Sequence, residues 1–224
     1  MNLQALQLSL RLAACTVAVL LIAGLPLAYF LARTRARWRV VVDALIMLPM
    51  VLPPTVMGLY LLTALGPRSP LGRMTESVLG HGFTFSFTGL LIASVIINIP
   101  FAVRPFVASF SAVSRNLIDA AHTLGDSPLR AFFRVVLPLS WPGIVGGCVL
   151  AFVHTMGEFG VALMVGGAIP GETATLSISI YDSVQSMDYG AAHAAAAILL
   201  TASFVALCAV FAPCLLYTSD AADE

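Results

Sequence analysis

The sequence predicts an all-α integral membrane protein, folded as a five-helix transmembrane bundle. Of its 224 residues 59% are hydrophobic and 10% charged, where soluble domains carry roughly 25% charged residues, and its mean hydropathy is +0.97. Several apolar runs exceed the roughly 18 to 20 residues that span a hydrocarbon core. The polar residues inside those runs suit the interior of a helical bundle, not the alternating pattern of a barrel.

The spans fall at about 8–32, 39–65, 86–112, 141–166 and 190–213, with ends soft by several residues. The first is too long for a signal peptide, is followed by Arg33, Arg35, Arg37 and Arg39, and lacks a small-residue cleavage site, so it reads as an anchor. Arginine bias sets the orientation. That first loop and the stretch carrying Arg104, Arg115, Arg130 and Arg134 are expected in the cytoplasm. The loops at 66–85 and 167–189 hold only Arg68 and Arg73 beside Glu76, Glu172, Asp182 and Asp188, and are expected outside. The amino terminus is then outside and the carboxyl terminus cytoplasmic. Residues 1–213 form the permeating domain in this reading. The last eleven residues, 214–224, match the translation of a common sequencing-library transposon adapter and read as a non-native tail.

Formal net charge is zero and all eleven cations are arginine. No basic patch points to nucleic acid. Without lysine the chain has no G-x-x-x-x-G-K-[ST] phosphate loop, so any ATP-driven function requires a second polypeptide. Cys15, Cys148, Cys208 and Cys214 lack C-x-x-C spacing and read as inert packing residues. His81, His122, His154 and His193 are scattered, with no second histidine or cysteine at i+3 or i+4, so no metal site is expected.

Residues 114–139 form a polar interlude between spans. Leu117, Ile118, Ala120, Ala121 and Leu124 recur at helical spacing opposite Asn116, Asp119, His122 and Thr123, which predicts a short amphipathic helix. Ser114 suits its N-cap, and Gly125 suits the residue past its end, where positive φ is needed. Ser127 and Pro128 start a second helix with Leu129, Phe132, Phe133 and Val136 on its apolar side, and Pro138 and Pro142 are expected to end it. Such an interlude is a docking surface for a partner or an amphipathic loop on the membrane surface.

Helix, glycine turn, helix and Leu-Pro together resemble the cytoplasmic EAA loop of ABC importer permeases, which runs E-A-A, three residues, Gly, nine residues, I-x-L-P. Asp119, Ala120, Ala121, Gly125, Val135, Leu137 and Pro138 fall at the matching positions. The departures, aspartate at 119 and valine at 135, keep charge or shape. The segments L-P-M-V-L-P-P-T-V-M-G from Leu48, G-E-F-G from Gly157 and G-G-A-I-P-G-E-T-A-T-L from Gly166 look like those of molybdate permeases, with sulfate and tungstate permeases close behind. The resemblance covers nearly the whole chain to residue 213 and is strongest after Asn98.

The resemblance implies a type I ABC importer permease whose two-helix coupling loop sits in a cleft of a cytoplasmic ATPase. Ala120 and Ala121 would allow close approach, Gly125 would set the angle between the helices, and Arg130 or Arg134 would pair with acidic rim residues. It also implies a homodimer with the pathway on its twofold axis, an ABC ATPase dimer holding the ATP and Mg, and a periplasmic or extracellular solute-binding protein. The site is then the bacterial inner membrane and the cargo a tetrahedral oxyanion, molybdate before sulfate or tungstate. The chain itself would need no cofactor and perform no chemistry.

The membrane residues leave alternatives open. Glu158, midway along the fourth span, costs about 2.5–3.5 kcal/mol if left facing lipid. It belongs either to a gate or to helix packing through Thr155 or a backbone group. Asn98 and Pro100 interrupt the third span, and Pro49, Pro53 and Pro54 the second. With Thr55 and Ser94 they line a weakly polar pathway, or they are packing kinks. Arg104 either meets a passing dianion or snorkels to lipid phosphate. Two competing functions remain. Glu158 and His154 at i and i+4 suggest an intramembrane hydrolase that lacks a further ligand or nucleophile pair, and the loop alone suits a membrane assembly factor.

Overall fold

The computed structural model describes residues 2–79 and 82–220. His81 and residues 221–224 of the adapter-like tail lie outside the described residues. The chain forms helices α1 (Leu3–Arg33), α2 (Arg39–Val51), α3 (Pro54–Leu65), α4 (Pro70–Leu79) and α5 (Phe87–Ala112). They are followed by α6 (Arg115–Thr123), α7 (Pro128–Gly157), α8 (Gly160–Gly166), α9 (Leu176–Gln185) and α10 (Tyr189–Asp220). Helices α1, α5, α7 and α10 are each long and apolar enough to cross a bilayer. The all-α membrane fold is as expected, the second span is interrupted as its prolines suggested, and the other spans differ from the sequence reading in three places.

The second span is not one rod. Helices α2 and α3 meet at 110°, with Leu52 and Pro53 extended at ψ 142° and 139°. Each of these residues precedes a proline, whose Cδ bars the α conformation from the residue before it. Pro53 and Pro54 therefore force the bend, whereas Pro49 stays inside α2. The third span, by contrast, is not interrupted: α5 runs through Asn98, Pro100 and Pro105 without a break.

Pro138 and Pro142 do not end the second loop helix either. It continues into the membrane as α7 through a π turn at Phe132–Val136, where Leu137 N–H bonds to Phe132 O. Helix α1 has the same device at Leu20–Gly24, two residues before Pro26. The wider turn draws away the carbonyl that the proline ring would strike in a regular helix. Last, the fourth span breaks at Glu158 into α7 and α8. The loops at 66–85 and 167–189 also contain helices, α4 and α9, that the hydropathy pattern did not mark.

Helix α5 is the hub. Over its most apolar stretch 56% of the residues are buried, against 6% for α10 at the edge. Helix α7 crosses it along Gly143, Gly147 and Ala151, spaced by four. A Cβ on Gly143 would lie 2.5 Å from Ser109 Cβ, and one on Gly147 would lie 2.8 Å from Phe106 Cε1 and 2.9 Å from Ala102 O. Small residues at this spacing let two backbones approach and gain dispersion contact, which drives helix association where the hydrophobic effect is absent. Phe106, Phe110, Val136 and Ala151 are fully buried there. Tyr29 of α1 sets its ring edge-on to Phe110 and Phe132, with centroids 5.6 and 4.9 Å away.

Candidate functional site

Two regions concentrate polar groups that packing alone does not require. The first is the turn between α6 and α7. Ser114 Oγ accepts from Asn116 N–H at 3.3 Å and begins α6. At its other end Gly125 N–H donates to His122 O and Asp126 N–H to Ala121 O, both at 3.0 Å. This is the Schellman pair of bonds, and it needs a left-handed residue. Gly125 supplies it at φ +89°, with no atom within 4 Å of where a Cβ would stand. Ser127 Oγ accepts from Arg130 N–H and begins α7 at Pro128.

Within this turn Arg130 and Arg134 both reach Asp126 Oδ1, at 3.7 and 3.2 Å. They brace the turn from inside, where an intermolecular role alone was expected of them. The apolar positions divide between two faces. Ala121, Ala131 and Val136 are buried against the bundle. Leu117, Leu124, Leu129 and Phe133 are exposed, at 49%, 88%, 68% and 57%, beside exposed Asp119, Ala120 and Pro138. Val135 and Leu137 are half-buried at the root of the loop. A rigid two-helix turn therefore presents a leucine and phenylalanine surface away from its own protein.

The second region lies within the membrane, where the bend before α3 faces the break before α8. Gly160 meets Pro54, a Cβ on it falling 2.8 Å from Pro54 Cβ, and Gly58 meets Met164, whose Sδ would be 2.7 Å from an added Cβ. These glycines let α3 and α8 touch. Beside the contact is a cavity of about 120 Å³ lined by Pro49, Pro54, Phe101, His154 and Glu158.

Glu158 does not project from the middle of a helix. It sits in the break, extended at φ −67° and ψ 123°, and its Oε1 accepts Val161 N–H at 2.9 Å, which satisfies a free donor at the start of α8. Asn98 and Ser94 are brought together in a buried relay. Asn98 is fully buried; its Nδ2 donates to Ser94 O at 2.8 Å and its Oδ1 meets His154 Nδ1 at 3.1 Å. Ser94 Oγ accepts from Thr16 Oγ1 at 3.0 Å. Thr55 takes no part: it is exposed on the first turn of α3. Arg104 is neither free for an anion nor extended to lipid, because its guanidinium reaches Asp43 Oδ1 at 3.3 Å while Arg39 holds the other oxygen at 3.3 Å.

His154 is the residue that sequence reasoning passed over. The signal available was its pairing with Glu158 four residues on, which had suggested only a hydrolase. Among the described residues no third histidine, cysteine or carboxylate joins them in a cluster able to hold a metal. The G-G-A-I-P-G-E-T-A-T-L segment is a built connection. Thr173 Oγ1 donates to Gly166 O and accepts from Ile169 N–H, and Ser9 Oγ of α1 accepts Leu176 N–H at 2.8 Å.

Comparison with known proteins agrees with this architecture. Residues 24–216 match the family model of the binding-protein-dependent transport system inner membrane component. The chain is 44% identical to the molybdenum transport system permease protein ModB of Azotobacter vinelandii, over 94% of this chain and 93% of that one. It is 37% identical to the ModB of Escherichia coli strain K12 over 82% and 80%. In fold it is similar to a bacterial ABC transporter involved in alginate import, at TM-score 0.73 and 18% identity over 93% of this chain and 77% of that one. It is also similar to an amino acid ABC transporter, at TM-score 0.62 and 19% identity over 93% and 90%. With its several membrane-crossing helices, this multi-pass protein belongs to the family of binding-protein-dependent transport system inner membrane components and groups there with the molybdenum transport permeases.

Proposed function

We propose that this chain is the membrane subunit of an ATP-driven importer and forms the pathway for a tetrahedral oxyanion, molybdate in the first place. The observation that carries the cargo is the 44% identity to a molybdenum transport permease across nearly the full length of both chains. A sulfate permease is the second reading, favoured by 34% identity over 82% of the chain to the sulfate transport system permease protein CysT of Salmonella typhimurium. All these anions share charge and shape, so the pathway separates them weakly and a solute-binding protein makes the choice.

The drive enters at the α6–α7 turn. Its exposed leucines, Phe133 and Asp119 dock in a cleft of a cytoplasmic ABC ATPase that holds the ATP and Mg. The rigidity of the capped turn transmits displacement, because α7 continues unbroken from Pro128 into the membrane as far as Gly157. Movement of the turn therefore shifts the break at Glu158 and its contact with α3. Two copies of the chain enclose the pathway, and the solute-binding protein delivers the anion from outside. The solved alginate transporter in complex with its periplasmic protein is a precedent for that kind of partner. The arginine bias supports an external amino terminus and a cytoplasmic carboxyl terminus. The chain contributes binding surface and a path, and hydrolysis belongs to the partner.

The test is reconstitution of the chain in proteoliposomes with the ABC ATPase and solute-binding protein of a molybdate importer. ATP-dependent molybdate uptake is expected, with tungstate and sulfate as competitors. Uptake that proceeds without ATP, or a chain that fails to copurify with any ATPase, would overturn the assignment.

A further inference from the structure

We propose that His154 is a substrate-contacting residue of the pathway, and that it donates a hydrogen bond from a protonated Nε2 to the passing oxyanion while Asn98 positions the ring. The inference rests on the permease reading above and adds to it the group that meets the anion and the proton state that group requires.

The relay fixes the tautomer. Asn98 spends its Nδ2 on Ser94 O at 2.8 Å, so its Oδ1 is an acceptor toward His154 Nδ1 at 3.1 Å. Nδ1 must therefore carry a hydrogen. Ser94 is itself held by the Thr16 hydroxyl, and Asn98 is fully buried, so the arrangement has no room to reverse. Stacking on Phe101, with centroids 4.0 Å apart and planes at 23°, fixes the ring orientation. Any second proton taken from water goes to Nε2, the ring nitrogen not engaged by Asn98.

The consequence for an anion follows from charge. Helices α2 and α3 face the cavity with Pro49, Leu52 and Pro54, and α5 with Ile97 and Phe101, none of which titrates. Among the described residues Glu158, at the α7–α8 break, is the one other titratable lining group. With His154 neutral the cavity offers a dianion one carboxylate and one imidazole lone pair, and both repel it. With His154 protonated the imidazolium offsets the Glu158 charge, and Nε2–H becomes a charge-assisted donor for an oxyanion. Passage is thus easier as pH falls.

The experiment uses the reconstituted complex and measures molybdate uptake per ATP hydrolysed as pH is lowered from about 8 to 5, a window that brackets the charge change of an unperturbed imidazole. Wild-type uptake should rise as pH falls. His154→Arg, a permanent cation, should retain uptake and lose the pH slope. His154→Phe keeps the stack on Phe101 without a donor and should lower uptake about ten- to a hundredfold, the scale of one hydrogen bond to a charged group, with assembly and ATPase activity intact. Asn98→Ala should shift the wild-type pH profile and leave the flat profile of His154→Arg unchanged. Wild-type uptake in His154→Phe, or a wild-type pH slope in His154→Arg, overturns the proposal. If His154→Phe fails to assemble, the slope of His154→Arg decides alone. A wild-type complex that imports no oxyanion overturns the permease reading itself, and this proposal with it.

Discussion

Replacing Gly125 with valine tests whether the α6–α7 turn works through its backbone shape. The residue stands at φ +89°, where an L-amino acid pays roughly 1–2 kcal/mol, and a β-branched one lies at the upper end. Nothing lies within 4 Å of the added Cβ, so the cost is conformational and not a clash. The chain relieves it by opening the cap, which releases the bonds from Gly125 N–H to His122 O and from Asp126 N–H to Ala121 O. Asp126 then no longer braces Arg130 and Arg134. A penalty of about 1–2 kcal/mol lowers the ratio of closed to open turn about 5- to 30-fold, and the apparent Kd for the ATPase rises by up to about that factor. The assay is surface-immobilised ATPase binding nanodisc-embedded chain, with circular dichroism as a check on folding. Gly125→Asn, which tolerates left-handed backbone, should rise less. Unchanged affinity in the valine variant would refute the shape argument, and an asparagine variant as damaged as valine would refute its conformational origin.

Gly147→Leu tests the crossing of α5 and α7. The new Cβ would press on Phe106 and, at 2.9 Å, on the backbone carbonyl of Ala102, so overpacking of about 1–3 kcal/mol is expected and should appear as a lower Tm in detergent. A variant as stable as wild type would show that the helices do not cross this closely. The Arg104–Asp43 pair is tested by a double-mutant cycle. With side chains 47% and 26% exposed it contributes about 0.2–1 kcal/mol. Arg104→Gln should lose about that much stability, Asp43→Asn somewhat more because it also releases Arg39, and the double variant no more than Asp43→Asn. Loss of transport in Arg104→Gln with none in Asp43→Asn would return Arg104 to the pathway as an anion ligand.

Much of the local structure was legible in the sequence because its causes are local. Ser114, Gly125, Ser127 and Pro128 mark helix ends through bonds that reach no further than a turn or so along the chain. The dipeptide Pro53-Pro54 announced an interruption, although only the structure gave its 110° angle. Pro100 and Pro138 misled for the opposite reason. A proline's local penalty is offset inside a packed membrane helix, where a π turn or neighbouring helices accommodate it. Glu158 was recognised as costly, but its role as the cap of α8 depended on a break that hydropathy averaging smooths over.

By itself the sequence determined that the chain is a helical membrane protein with several crossings and where its polar turn lies. Those conclusions follow from composition, apolar run length and local residue spacing, none of which depends on how helices are arranged. Only the tertiary structure decided that Arg104 is spent on Asp43, sixty-one residues away, and that His154 is held by Asn98 at a separation of fifty-six. Which face a helix turns inward, and which distant polar group it meets there, is set by close packing around residues such as Gly143 and Gly147. A hydropathy pattern with little amphipathic bias does not encode that rotation.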